Sequence, residues 1–445
     1  MSDIKSGRAR RGLSVGGLTT AIGGSYLWQF VKWPFQSSEE RQETMLATHI
    51  RNAQRLVSQS VELRGAFAKL VQMLSMRSDL LPAEAVDVLA SVRSSMPPMP
   101  ADVVRRVIEE ELGAPPERCF ARFEEQAFAA ASLGQVHRAE REDGRRVAVK
   151  VQYPGVADTV GQDLKNIRAL IRVMAAIGRD VMGRDVDTKL VVAELEARLR
   201  EELDYRLEAA NAERFRMLFA DDPEVVIPRV HADRSTGRVL TMDLLDGYPI
   251  DQLMAPGVDP AMKEWTAVKI FRLFYRQLLE FGMVQTDPHP GNYLVTHHPK
   301  ICMLDFGCVR TLEPAIRRGY VRLAHALVRD DAEEMAAAGR DLGFVDKDPT
   351  VFVRLMRLSG SPLIKDAPFD PTTHDLVALA TEATRIGLAG EPLLAPGHDV
   401  FIGRALLGVD GYLKGFGVVR NWHREFLDVL AKLPPEPDVA MPQTG

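Results

Sequence analysis

The sequence predicts an α+β fold of two lobes, a small β-rich one followed by a larger helical one, with a helical extension in front. Three observations carry this prediction. First, the β-branched run Val147-Ala148-Val149-Lys150 follows the turn signal Asp143-Gly144, which marks a hairpin. Second, most of the remaining chain to about Leu433 has apolar residues at helical spacing. Third, Asp287-Pro288-His289-Pro290-Gly291-Asn292 and Asp305-Phe306-Gly307 stand close together after an apolar helical stretch, as two loops of one site would. At 445 residues, with 46% hydrophobic and 26% charged residues, the chain has the size and composition for this plan.

Residues 1–35 form a leader. Lys5, Arg8, Arg10 and Arg11 precede an uncharged stretch from Gly12 to Val31, closed by Lys32. The stretch is long enough to cross a bilayer, but Gly16, Gly17, Thr19, Thr20, Gly23, Gly24 and Gln29 dilute it. A weakly amphipathic leader and one that rests on the inner membrane surface both remain open, the second favoured by Tyr26 and Trp28 at one end. Gly17 and Ala21 form a small-x-x-x-small pair of the kind that lets two helices of a homodimer approach. Residues 36–115 read as helices, broken at Leu81-Pro82 and Pro97-Pro98 and resumed from Pro100-Ala101-Asp102 to Gly113.

The β-rich lobe spans 116–247. Its segment Ala129-Ala130-Ala131-Ser132-Leu133-Gly134-Gln135-Val136 fits the phosphate-loop pattern G-x-G-x-x-G-x-V at Gly134 and Val136, with alanines at the first two glycine positions. Fewer glycines make a stiffer loop, with different amide geometry for a nucleotide's phosphates. A bare alanine-rich helix start is the alternative. Lys150 ends the next strand, where a lysine meets phosphates. Lys189 to Arg214 reads as one charged helix able to supply a carboxylate to that lysine. Val239–Gly247 reads as a strand entering a hinge, with Met242 near the base.

The helical lobe spans 248–433, beginning with an apolar helix from Met262 to Phe281. Asp287 stands five residues before Asn292, and Asp305 opens the Phe-Gly turn. In phosphoryl transfer the first acid orients the attacking hydroxyl or water, while the amide and the second acid hold Mg²⁺ against the nucleotide. These are hard oxygen ligands, suited to Mg²⁺. Gly307 leads within a few residues to Glu313-Pro314, so the long peptide-docking loop of protein kinases has no room. His289, between two prolines, reads as a structural member of its loop. The later helices are expected at Asp330–Leu342, Pro349–Leu358, Thr373–Gly387 and His398–Leu407, and residues 434–445 as a disordered tail.

From about Gly65 to about Val345 the chain resembles the UbiB/AarF family of atypical protein-kinase-like enzymes. The resemblance rests on the alanine-rich loop, Val147–Lys150, Glu202-Leu203-Asp204-Tyr205, the Asp-Pro-His-Pro-Gly-Asn loop, Leu304–Gly307 and Lys69-Leu70-Val71-Gln72. It implies a two-lobed kinase-like fold, an extension packed over the nucleotide cleft, ATP and Mg²⁺ as cofactors, and a role in ubiquinone or related isoprenoid-lipid metabolism. It also implies that Lys69 and Gln72 face the cleft and that Glu202, supported by Asp204, pairs with Lys150 or Lys69; Glu194, Glu196 and Glu201 are rivals. Two departures stand out: Val71 replaces the glycine of K-x-G-Q, and Gln285-Thr286 replaces the His-Ala that precedes Asp-Pro-His-Pro. They keep a second reading open, a nucleotide- or lipid-binding module without chemistry. The acceptor expected otherwise is a small molecule or lipid.

Composition limits other classes. A net charge of −5 gives no reason to expect nucleic acid as a partner. Cys119, Cys302 and Cys308 lack metal-ligand spacing, which points to free thiols in a reducing compartment such as the cytoplasm.

Overall fold

The computed structural model describes residues 99–131, 133–156, 188–344, 349–374 and 397–433, most of residues 17–63, and a few scattered positions between 64 and 171. Lys69, Gln72, Ser132, residues 375–387 and the tail at 434–445 lie outside the described residues. The chain divides into two compact units, Met1–Glu213 with Pro228–Leu244, and Arg214–Ile227 with Leu245–Gly445.

The first unit is built on an antiparallel sheet. Its strands are β1 (Arg122–Phe123), β2 (Ala129–Ala131), β3 (Gly134–Glu140), β4 (Arg146–Gln152) and β5 (Val239–Asp243). The order is β1-β3-β4-β5, and β2 also pairs with β3. Gly144 turns the β3–β4 hairpin at φ 78°, a conformation that favours glycine. On β4 the side chains alternate: Val147, Val149 and Val151 are fully buried, and Ala148 and Lys150 point to the other face.

The valine face shares one hydrophobic cluster with the N-terminal extension. Helix α1 (Ser38–Leu63) contributes Met45, Ala53 and Leu56, and α2 (Ala101–Leu112) contributes Val104, Val107 and Ile108. Leu70 and Val71 are also fully buried in it. Residues 20–29 are helical, and Leu18, Ile22 and Tyr26 join the same cluster at four-residue intervals. The polar residues of this leader bond to α1: Tyr26 Oη lies 2.8 Å from His49 Nδ1, and Gln29 Nε2 donates to Thr48 Oγ1 at 2.9 Å. The buried stripe is Leu18–Ile22–Tyr26, while Gly17 and Ala21 are exposed. Among the described residues no helix is long and apolar enough to cross a membrane.

The expected helix from Lys189 to Arg214 is two helices, α3 (Thr188–Glu202) and α4 (Tyr205–Leu218). The break is chemical. Asp204 accepts from Arg206 N–H at 3.0 Å, the bond of an N-cap, and so begins a new helix where the apolar periodicity alone shows none.

The second unit contains the short strands β6 (Tyr248–Pro249), β7 (Met283–Gln285), β8 (Tyr293–Val295), β9 (Ile301–Met303) and β10 (Val309–Thr311). Strands β8 and β9 form an antiparallel hairpin flanked by β6 and Val225–Val226, and β7 pairs with β10. Helix α5 (Pro260–Tyr275) continues into a π-helical segment, Arg276–Phe281. After Thr311, α6 (Pro314–Val328), α7 (Ala332–Asp341) and α8 (Pro349–Ser359) follow, then α9 (Gly397–Phe416) and α10 (Trp422–Leu430). Phe271 and Tyr275 of α5 pack on Trp422 and Phe426 of α10 with ring centroids 5.1 and 4.7 Å apart. Only β10 separates the Asp305 turn from α6, so no long loop intervenes there. Helix α9 runs nine residues past the expected end at Leu407, through three glycines, to Phe416.

Candidate functional site

Each unit carries one part of the predicted machinery. In the first, the alanine-rich segment is an antiparallel ribbon rather than a helix start: Ala129 pairs with Val136, Ala130 with Gln135, and Ala131 with Gly134. Ala129 and Ala130 are exposed on β2. Gly134 is fixed by crowding, since a Cβ there would lie 2.3 Å from Val151 O. Lys150 sits on the central strand beside Val136 of β3 and Leu240 of β5. Met242 is buried with Tyr205 and Leu240.

Lys150 Nζ donates to Glu208 Oε1 and Oε2 at 2.9 and 2.8 Å and lies 5.0 Å from the centroid of the Tyr205 ring. The side chains are only 13% and 4% exposed, so the pair is desolvated. This corrects the Lys150 half of the expectation: Glu208, not Glu202, pairs with Lys150, and the alternative partner of Glu202, Lys69, lies outside the described residues. The geometry follows from the helix break. Gln152 Nε2 donates to Leu203 O at 3.0 Å and Tyr205 N–H donates to Gly237 O at 3.0 Å, which fixes the start of α4 on the sheet. Tyr205, Glu208, Ala212 and Phe215 then fall on one buried stripe at helical spacing. An acid within an apolar stripe was the signal that could have found Glu208. Glu202 ends α3, and Asp204 caps α4.

In the second unit the strand register brings the two acidic loops together. Tyr293 opposes Met303 across the β8–β9 hairpin, so Asn292 and Leu304 flank the same end, where Leu304 N–H donates to Asn292 O at 2.9 Å. Asp305 follows immediately. Its Oδ1 accepts from Gly307 N–H at 2.9 Å, and Phe306 is fully buried against Phe215, 5.1 Å between centroids. Asn292 Nδ2 donates to Asp287 O at 3.1 Å and Oδ2 at 3.2 Å. The amide nitrogen is therefore committed to Asp287, and the amide oxygen is the atom Asn292 can offer a cation. That fits Mg²⁺, which takes one or two protein oxygens and fills its sphere with phosphate oxygens and water. His289 Nδ1 accepts from Gly291 N–H at 3.1 Å and shapes the short turn Pro290–Asn292.

Two residues to which the motifs gave no role in the site complete this arrangement. Gln285 is buried; its Nε2 donates to Asp287 O at 3.0 Å and Asp305 O at 3.4 Å, and its Oε1 accepts from Tyr293 Oη at 2.6 Å. One amide thus ties both loops together at the position where the sequence departs from His-Ala. Burial and the charges of Asp287 and Asp305 push the Tyr293 phenol well above its usual range, so it stays a donor. Arg404, from α9, donates to Asp287 Oδ1 at 2.7 Å. Among the described residues no group of three or more His, Cys, Asp or Glu forms a metal cluster. Cys302 is buried, which pushes its thiol up to about 11 and makes it a packing residue.

A family model described as the ABC1 atypical kinase-like domain matches residues 91–339, more than half of the chain. The chain belongs to the ABC1/UbiB family of atypical kinases. Among relatives in this family, the rat mitochondrial atypical kinase COQ8B is 33% identical over 82% of this chain and 70% of its own length. The zebrafish COQ8B is 33% identical over 77% of this chain, and a Marinobacter nauticus protein named as a probable protein kinase UbiB is 32% identical over 79%. The chain spans only 54% and 64% of the length of those two relatives. Among solved structures, the Mycobacterium tuberculosis protein Rv3197 in complex with erythromycin superposes with a TM-score of 0.61 at 24% identity, covering 88% of this chain and 98% of that one. The protein-kinase-like fold of the ABC1/UbiB family is thereby established.

Proposed function

We propose that this ABC1/UbiB family member is an ATP- and Mg²⁺-dependent atypical kinase or ATPase acting on a small molecule or a lipid-linked process, within ubiquinone or related isoprenoid-lipid metabolism. The observation that carries the reading is the Asp287–Asn292–Asp305 arrangement, in which Asn292 spends its nitrogen on Asp287 and keeps an oxygen for a cation. In this reading Asn292 and Asp305 hold Mg²⁺, which supplies charge neutralisation at the phosphates when bound. Lys150, oriented by Glu208, contacts the nucleotide phosphates. Asp287 orients the attacking hydroxyl or water. Ala129, Ala130, Ala131, Ser132, Gly134 and Val136 cover the phosphates, Met242 lies by the base, and Lys69, Gln72, Glu202 and Asp204 border the nucleotide.

Chemistry is favoured over mere binding because Gln285 keeps both acidic loops joined despite the departure from His-Ala. Contact with a membrane surface through the leader is supported by exposed Leu27, Trp28 and Val31 beside Lys32.

The test is phosphate release from Mg²⁺–ATP by the full chain, with and without anionic phosphatidylglycerol vesicles and a quinone-like phenol. Asp287→Asn should lower turnover by about 10²–10⁴. Unchanged turnover would remove Asp287 from its role. Nucleotide affinity with no phosphate release under any condition would favour the binding-module alternative.

A further inference from the structure

Helix α9 meets the Asp287 loop at three successive turns. Arg404 Nη2 donates to Asp287 Oδ1 at 2.7 Å, and Tyr412 Oη donates to Pro288 O at 2.6 Å. Between them, a Cβ on Gly408 would lie 2.0 Å from Pro288 Cβ, so the ring of Pro288 rests on bare helix backbone. Positions 404, 408 and 412 are four apart and share one helical face. A charge, a missing side chain and a long phenol each meet a different part of the same dipeptide.

The loop needs this outside support. Pro288 and Pro290 have no N–H, so the loop cannot secure itself through those backbone donors. Its other bonds gather on the Asp287 backbone and the short turn: His289 N–H, Asn292 Nδ2 and Gln285 Nε2 donate to Asp287 O at 2.8, 3.1 and 3.0 Å, with turn bonds at Gly291 and Asn292. The carboxylate of Asp287 turns about a broad, soft torsion. Its Oδ2 is held by Asn292 at 3.2 Å, a long bond, and its Oδ1 by the shorter, charge-assisted bond from Arg404.

We propose that α9 is a brace for the Asp287 loop and that Arg404 is a positioning residue for phosphoryl transfer, acting through the Asp287 carboxylate and, through it, on Asn292. The catalytic half of this inference rests on the function proposed above; the brace itself does not. Loosening the guanidinium lets the Asp287 carboxylate rotate and takes the Asn292 amide with it. Misplacement of about 1 Å costs about 10²-fold in rate.

The experiment uses the full chain and two readouts. Amide hydrogen exchange of the peptide spanning residues 286–293 reports the brace without needing activity. Phosphate release from Mg²⁺–ATP reports positioning. Arg404→Ala should speed exchange at Gly291 and Asn292 and leave β3 and β4 unchanged. It should lower kcat by about 10–10²-fold with KM for ATP shifted by no more than about twofold. Arg404→Lys should recover most of the lost rate, and should serve if the alanine variant folds poorly. In an Asp287→Asn background, Arg404→Ala should cost almost nothing further, because the group it acts through is gone. Unaltered loop exchange in Arg404→Ala would overturn the brace. An equal proportional loss of rate in both backgrounds would overturn action through Asp287. Faster loop exchange in Arg404→Ala, alongside undiminished turnover in Asp287→Asn, would keep the brace and reject the catalytic role of the loop.

Discussion

Lys150 and Glu208 lie on a strand and a helix that leave them almost no water, so their mutual bonds replace much of the solvation each would have in water. Glu208→Ala should therefore destabilise the first unit by about 3–5 kcal/mol, read by urea unfolding with a probe in its sheet. The double variant Lys150→Met/Glu208→Leu should lose less than Glu208→Ala, because it removes both desolvated charges and fills their space with apolar groups. A loss under about 1 kcal/mol for Glu208→Ala would mean the pair behaves like a solvated surface bridge. Thiol chemistry separates the cysteines in the same way. Burial raises the Cys302 and Cys119 thiols, and Cys308 is less buried, so iodoacetamide should label Cys308 first, checked by peptide mass analysis. At this scale the candidate site was legible where its residues stand close in the chain: Asn292 and Asp305 flank the β8–β9 hairpin, and Asp287 stands five residues before Asn292. Glu208 was missed because the Glu202-x-Asp204 pattern drew attention to the end of a helix rather than to the buried stripe of the next. Arg404 stands 117 residues from Asp287, and only the fold brings the two together.

Glycine carries the element-scale lesson. In a sequence Gly408, Gly411 and Gly415 weaken a helix, and α9 was expected to stop at Leu407. In the fold Gly408 admits Pro288 and Gly415 admits Met254, and the packing gained outweighs the propensity lost. Gly134 is a sharper case. A methyl there meets the carbonyl of Val151, which is backbone and cannot swing aside, so β3 and β4 must part. Gly134→Ala should cost about 1–3 kcal/mol, and more than the same change at Gly144, where nothing lies near the new Cβ and only the positive φ resists, at about 1 kcal/mol. Equal costs at the two positions would show that crowding at Gly134 is relieved without loss of pairing. Asp204 offers a test of what its carboxylate does. As a helix cap, Asp204→Ala should cost about 1 kcal/mol, while Asp204→Asn, an equally good cap, should cost little. Thermal melting of the two variants distinguishes them, and an asparagine variant as damaged as the alanine one would point to the charge instead.

Across the first unit, the extension and the sheet cannot be separated energetically. Val147, Val149 and Val151 are covered by Val104, Val107 and Ile108 of α2 and by Leu70 and Val71, all in one cluster. Polar ties reinforce this: Met99 N–H donates to Gln135 Oε1 at 2.6 Å, and Arg238 bonds to Glu110 and Glu111 at 2.9 and 2.8 Å. The sequence separated residues 36–115 from the β-rich segment because prolines and composition change near 115, and such breaks report chain direction rather than burial. The apolar face of this five-stranded sheet shares its cluster with the extension and with Val192, Leu195 and Leu199 of α3, while its opposite face bears Lys150. Ile108→Ala should thus lower the stability of the sheet itself by about 2–5 kcal/mol, although the residue lies on a helix outside it. A chain beginning at Ala114 should expose the three valines, bind a hydrophobic dye and aggregate rather than yield a folded kinase-like core. Recovery of such a truncated chain as a soluble protein with protected β4 amides would mean that the sheet carries its own core and the extension is an appended lid.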